Sequence, residues 1–184
     1  MYIAANIDDC ALVINEFLPL ELFNKISKYN YSEHSLLKST NDWNNALFKD
    51  VDGYQTVKSV YQLNNLINKD IIFKEFLNTI KTCSFIPFTE KIKFKMSYYE
   101  YPQYSGINWH DDGPYGLNYS FYIHENWDKN WGGETLIDTK RGLPLVTYPM
   151  PNTMLVVKND VWHKVCAITG PQKRKVLQVR GFFT

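Results

Sequence analysis

Cysteine is scarce in this sequence: Cys10, Cys83 and Cys166 stand far apart, no two in a Cys-x-x-Cys spacing. That pattern builds neither a disulfide framework nor a thiolate zinc site, and the three read as buried or incidental thiols. Net charge is also scarce. Twenty Lys and Arg against 19 Asp and Glu leave a formal charge of +1. No basic block stands out as a footprint for a nucleic-acid backbone, so no nucleic-acid partner is expected. The N-terminal MYIAANIDDCALVINEF has acidic residues where a secretion signal needs a basic start and an unbroken apolar run. No window elsewhere approaches a membrane span, so a cytoplasmic protein without membrane association is expected. Internal repeats and low-complexity linkers are missing as well, and 184 residues suit one domain around one core. The sequence carries no signal for oligomeric state.

What is present falls into two textures. Residues 1–87 read as mostly helical. LPLELFNKISKY (18–29) carries Leu20, Phe23 and Ile26 on one stripe, and KDIIFKEFLNTIKTC (69–83) repeats the pattern with Ile72, Phe73, Phe76, Leu77 and Ile80. Pro19 suits a helix start, and ALVINEF ahead of it reads as an edge strand. Residues 88–184 carry short aromatic or apolar runs broken by Gly, Pro and Asn: KIKFKMSYYEY, LNYSFYIHENW, GGETLID, LPLVTY, NTMLVVK, VWHKVCAI and RKVLQVRGFFT. Seven such strands without intervening helices indicate a sandwich, jelly roll or barrel. The expected class is therefore α+β, with helices packed on one β-core.

Within NWHDDGPYG (108–116), side chains of an extended segment alternate faces, so His110 and Asp112 point together and Asp111 points away. Asp112 is the candidate metal ligand and Asp111 the turn residue. A third ligand has to come from elsewhere, and among His34, His124 and His163 the last is the best placed. It lies in a predicted strand 53 residues after His110, far enough for antiparallel strands to bring it alongside. Two imidazoles and one carboxylate suit a non-haem Fe(II) oxygenase site, because positions on the metal stay open. A structural zinc site would be closed by four ligands. His-x-Asp alone is a common triplet, and a solvated acidic turn is its plain alternative. In RKVLQVRGFFT, Arg174, Val176, Gln178 and Arg180 share one face. An arginine directed into a β-core is costly unless it meets an anion such as a carboxylate; ordinary surface charges on an edge strand are the alternative.

The C-terminal half, from about Tyr98, resembles the 2-oxoglutarate- and Fe(II)-dependent oxygenases, and within them the prolyl 4-hydroxylase branch that includes the oxygen-sensing prolyl hydroxylases. The elements of the resemblance occur in order: YPQYSGINWHDD, FYIHENW, WGGETLI, VWHKV and RKVLQV. It implies a double-stranded β-helix core of jelly-roll, cupin-like form with supporting N-terminal helices. It further implies iron held by His110, Asp112 and His163, and Arg174 binding the distal carboxylate of 2-oxoglutarate with Tyr101 and Tyr122 lining that pocket. O2 would be the second co-substrate and ascorbate an admissible reductant. Gly132 and Gly133 match the family's Gly-Gly. The implied reaction couples decarboxylation of 2-oxoglutarate to succinate and CO2 with hydroxylation of an unactivated C–H bond, by branch resemblance that of a prolyl residue in a peptide or protein. Arg180, Trp109, Tyr115 and Trp162 are the candidates for substrate contact, although Trp109, next to His110, should face away from the metal. Two departures from the pattern stand out: Arg180 replaces an aromatic of the oxygen-sensing branch, and Val176 replaces a small or hydroxyl residue. Alternatives are a hydroxylase of a free amino acid or small molecule, a nucleic-acid dealkylase sharing the spacing of Arg174 and Arg180, and a non-enzymatic β-sandwich binding module. His124 has no assigned role.

Overall fold

The computed structural model of the chain describes residues 1–7, 10–33, 36–38, 59–86, 92–113 and 116–183. His34 and Tyr115 lie outside the described residues. The second apolar stripe forms helix α2 (Ile71–Thr82), started by Asp70, whose carboxylate accepts from the Ile72 backbone N–H at 2.8 Å. That bond satisfies one of the donors a helix leaves open at its start. The first forms α1 (Leu20–Ser27), entered from Pro19. α2 buries Phe73, Phe76, Leu77 and Ile80, each contributing about 1.5–3 kcal/mol of apolar transfer.

Each of the seven runs in the second half contains a strand: β5 (Ile92–Tyr101), β7 (Leu117–Tyr122), β8 (Thr135–Ile137), β9 (Leu145–Thr147), β10 (Thr153–Lys158), β11 (His163–Val165) and β12 (Arg174–Phe183). The segment ending in the His-x-Asp triplet adds β6 (Ile107–His110). The first half is less helical than its sequence suggests, for it also supplies β1 (Tyr2–Ile7), β2 (Ala11–Asn15), β3 (Leu36–Lys38) and β4 (Ser59–Gln62). β2, in ALVINEF, is no edge strand: β1 pairs on one side of it and β10 on the other. Burial explains why. Ala11, Leu12, Val13 and Ile14 are all buried, as a strand covered on both faces requires.

The described strands form an eight-stranded sheet in the order β1-β2-β10-β7-β12-β5-β4-β3 and a four-stranded sheet in the order β6-β11-β8-β9, with every pairing antiparallel. Two faces of the large sheet carry different cores. Met96, Tyr119, Phe121, Met154, Leu177 and Val179 join the helices in one cluster. Tyr99, Tyr101, Tyr122, Leu155 and Val176 meet Ile107, Ile137 and Val165 of the small sheet in the other. This two-sheet jelly roll with helices on one face is the expected α+β fold. The site lies between the sheets.

Candidate metal and co-substrate site

β6 and β11 lie side by side with His110 directly opposite His163, their ring centroids 4.4 Å apart. Asp112 follows β6, and one ligand atom from each of the three residues lies within 4.8 Å of the others. Asp111 instead turns back, its Oδ1 accepting from the Gly113 N–H at 3.0 Å. The alternation read from the triplet is realised, with one aspartate in the cluster and one closing the turn.

Carbonyl oxygens only accept, so the backbone assigns the tautomers. His110 Nδ1 donates to the Asn108 carbonyl at 2.7 Å and His163 Nδ1 to that of Val161 at 3.0 Å. Both rings therefore present Nε2 to the cluster, the arrangement an imidazole needs to bind a metal. Burial opposes charge on Asp112, but the hydrogen bond from His163 and the positive charges of His163 and Arg180 outweigh it and hold the carboxyl at about 2. Burial, then the charge of His163, pushes His110 below its usual value. On His163, burial is outweighed by the hydrogen bond and charge of Asp112, and its value is raised. Two neutral-capable imidazoles and one ionised carboxylate fit a divalent cation.

The cluster opens on a small cavity of about 40 Å3, lined among others by Tyr99, Tyr101, Asn118, Thr135, Arg174 and Arg180. Arg174 begins β12 and is 3 % exposed. Its Nη2 donates to Thr135 Oγ1 at 3.1 Å and to the Tyr122 hydroxyl at 3.3 Å, and its guanidinium lies 4.9 Å from the Tyr101 ring centroid and 5.0 Å from that of Tyr122. Among the described residues no carboxylate forms a salt bridge with it. A buried guanidinium surrounded by hydroxyls and ring faces is prepared for a carboxylate that arrives from outside. Lys173, in contrast, pairs with Glu100 at 2.9 Å and is mostly exposed.

Gly133 packs this corner tightly. Its φ is +72°, and a Cβ there would lie 3.1 Å from Trp127, 3.2 Å from Ile168 and 3.4 Å from the Arg174 Cδ. At Gly132 a Cβ would come within 2.2 Å of the Ala167 carbonyl oxygen. The Gly-Gly pair is thus more than a turn opening a strand: it lets β8 approach the segment that leads into Arg174.

Arg180 shares the inward face with Arg174 and reaches Asp112, Nη2 to Oδ1, at 3.4 Å. Trp109 and Trp162, by contrast, are not brought to this cavity. They are 40 % and 49 % exposed and line a separate depression with Asp138, Gly142, Leu143 and Pro144. Their neighbours His110 and His163 face inward, and strand alternation sends the tryptophans out. Tyr104 is exposed. Trp127 is buried against His124, with its Nε1–H donated to the Gly132 carbonyl at 3.2 Å. His124 is a structural histidine: Nε2–H donates to the Pro149 carbonyl and Nδ1 accepts from the Lys175 N–H at 3.4 Å, while burial lowers its value to about 4. Sequence reasoning missed Thr135 and Asn118. For Thr135 the signal was its place two residues after Gly133, at the start of a strand; for Asn118 it was parity with Tyr122 on β7.

Residues 96–180 match the profile of the 2OG-Fe(II) oxygenase superfamily. No curated protein sequence matches. Among solved structures, a prolyl-4-hydroxylase from Pseudomonas putida is similar over 96 % of this chain and 94 % of its own, at TM-score 0.68 and 14 % identity. A prolyl hydroxylase from Trichoplax adhaerens, solved in complex with a hypoxia inducible factor oxygen degradation domain peptide fragment, is similar over 96 % of this chain and 84 % of its own, at TM-score 0.70 and 15 % identity. An oxidoreductase of the 2OG-Fe(II) oxygenase family from Burkholderia pseudomallei is similar over 94 % and 84 %, at TM-score 0.63 and 12 % identity. The chain thus resembles the 2-oxoglutarate- and Fe(II)-dependent oxygenases, with solved neighbours in the prolyl 4-hydroxylase branch, and the jelly-roll fold is shared. The match supports an oxidoreductase of the dioxygenase kind that uses Fe(II), 2-oxoglutarate and O2. No described helix is long and apolar enough to cross a membrane.

Proposed function

We propose that the chain acts as one 2-oxoglutarate- and Fe(II)-dependent dioxygenase domain that hydroxylates a prolyl residue in a peptide or protein. The observation that carries the proposal is one cavity joining two features: the converging ligand atoms of His110, Asp112 and His163, and the buried Arg174 without a carboxylate partner among the described residues. In this assignment His110, Asp112 and His163 hold Fe(II), and Arg174 takes the distal carboxylate of 2-oxoglutarate with Thr135 and Tyr122 beside it and the Tyr101 ring against its guanidinium. Fe(II) with 2-oxoglutarate and O2 supplies the oxidising power for attack on an unactivated C–H bond. The chain itself supplies orientation and dryness. The Nδ1 bonds to Asn108 and Val161 fix both imidazoles, and the rings of Tyr99 and Tyr101 with Leu155 and Val157 wall the cavity from water.

A peptide substrate is favoured because a neighbour of like fold was solved with a peptide bound. Ascorbate as reductant and a cytoplasmic location belong to the same proposal. The test is succinate formation from 2-oxoglutarate with Fe(II) under air, with and without proline-rich peptides, and with free proline in parallel. Peptide stimulation that His110→Ala abolishes is expected. Stimulation by free proline alone would move the substrate to a free amino acid, and an absence of metal-dependent turnover would remove the enzyme assignment.

A further inference from the structure

The two oxygens of the Asp112 carboxylate face different partners. Oδ2 lies 3.4 Å from His163 Nε2, within the ligand cluster, whereas Oδ1 lies 3.4 Å from Arg180 Nη2. Arg180 is placed for this by the sheet: it stands opposite Asn118 on β7 and Lys95 on β5, six residues along β12 from Arg174. The Asp112 side chain is 11 % exposed and that of Arg180 28 %, so solvent screens the contact less than it would a surface pair.

We propose that Arg180 is a positioning residue that occupies Oδ1 of Asp112 and so restricts this carboxylate to a single bond, through Oδ2, with the metal. The inference rests on the metal assignment above. A carboxylate can bind a cation through one oxygen or two. On a six-coordinate ion, two imidazoles and a one-oxygen aspartate leave three positions, of which a chelating 2-oxo acid takes two, so one remains. If Oδ1 also bound, that last position would close. A guanidinium fits the task because it keeps its charge and its donor geometry whatever the pH. Arg180 therefore acts through Asp112, without itself touching the reacting atoms.

The consequence is readable without turnover. Mn(II) in the site speeds the relaxation of water protons in proportion to the exchanging waters it carries. In the ternary complex of protein, Mn(II) and 2-oxoglutarate, the wild-type chain is expected to keep about one such water. Arg180→Met should lose it, the enhancement falling to the level of an ion with no bound water. Arg180→Lys should restore most of the enhancement, because an ammonium can still donate one bond to Oδ1. Mn(II) affinity and the melting temperature of the metal-free protein are measured on the same samples. Equal enhancement in wild type and Arg180→Met would overturn the inference. So would loss of Mn(II) binding in both Arg180 variants, since Arg180 would then serve the fold. Failure of the wild-type chain to bind Mn(II) would instead strike the metal assignment on which the inference stands.

Discussion

The two faces of β7 and β12 make an instructive pair. On the helix side, Tyr119, Phe121, Leu177 and Val179 are each fully buried in a continuous apolar cluster with α1 and α2. One residue away along the same strands, Asn118, Ser120, Gln178, Arg174 and Arg180 line the cavity. The period of two lets one strand carry packing on one side and chemistry on the other without either disturbing its backbone. It follows that changes on the two faces should fail differently, one in stability and the other in binding or turnover.

The sharpest break is at the ligands. His163→Ala should remove metal binding and bring 2-oxoglutarate turnover to background, beyond the roughly 10–100-fold that loss of an outer partner costs. Calorimetric titration with Mn(II) and succinate release both read it. On the opposite face, Phe76→Ala in α2 should cost about 3–5 kcal/mol of stability through the cavity it leaves, while activity per folded molecule holds well below the melting temperature. Denaturant unfolding with activity measured alongside would separate the two, and an activity loss matching no stability loss would mean the faces are coupled.

Arg174→Met tests the far end of the cavity. Losing the charged hydrogen bonds to a carboxylate should weaken 2-oxoglutarate by about 1.5–3 kcal/mol, roughly 10–150-fold, with Mn(II) affinity unchanged. Acid sharpens the comparison further. Asp112 is held at about 2 in the folded, metal-free protein against an ordinary value near 3.8. A lowered folded value contributes stability that is fully present above the unfolded value and lost as pH falls through the folded one. The metal-free protein should therefore lose stability between about pH 4 and pH 2, and Asp112→Asn should flatten that limb of a melting curve against pH. The smallest effect is expected at Trp109→Ala on the outer face of the small sheet: stability within about 0.5 kcal/mol and turnover nearly unchanged. A large loss of peptide-stimulated turnover there would bring that outer wall into substrate contact.

The legible parts of the molecule were those that obey local periodicity. Both helices were visible from their stripes, and the seven strand runs from their alternation and punctuation. The inward pairing of His110 with Asp112 followed from parity alone, as did the outward turn of Trp109. Trp162, a candidate for substrate contact in the sequence, stands one residue before His163 and lies outside the cavity. Less legible were the short strands of the first half. β4, SVYQ, is too brief for alternation to mark it, and β1, YIAANI, has exposed positions along its length, so neither stands out before its partners are known. β2 could not be placed inside a sheet, between β1 and β10, because strand order is a long-range property. Thr135 was only half legible for the same reason: its place after Gly-Gly marks the start of a strand, but its meeting with an arginine 39 residues on is long-range.

By itself the sequence determined the α+β class, the helix stripes, the shared face of His110 with Asp112 and of Arg174 with Arg180, and the residue types able to hold a metal and a carboxylate. These depend on backbone geometry repeated every 3.6 or two residues, which a linear chain displays directly. Only the tertiary structure decided that His110 lies opposite His163, that Arg174 is walled by Tyr101, Tyr122 and Thr135, and that Arg180 takes one oxygen of Asp112. Those are matters of strand order, register and close approach between segments 39 to 73 residues apart in their pairings, set by packing two sheets face to face and by no local preference.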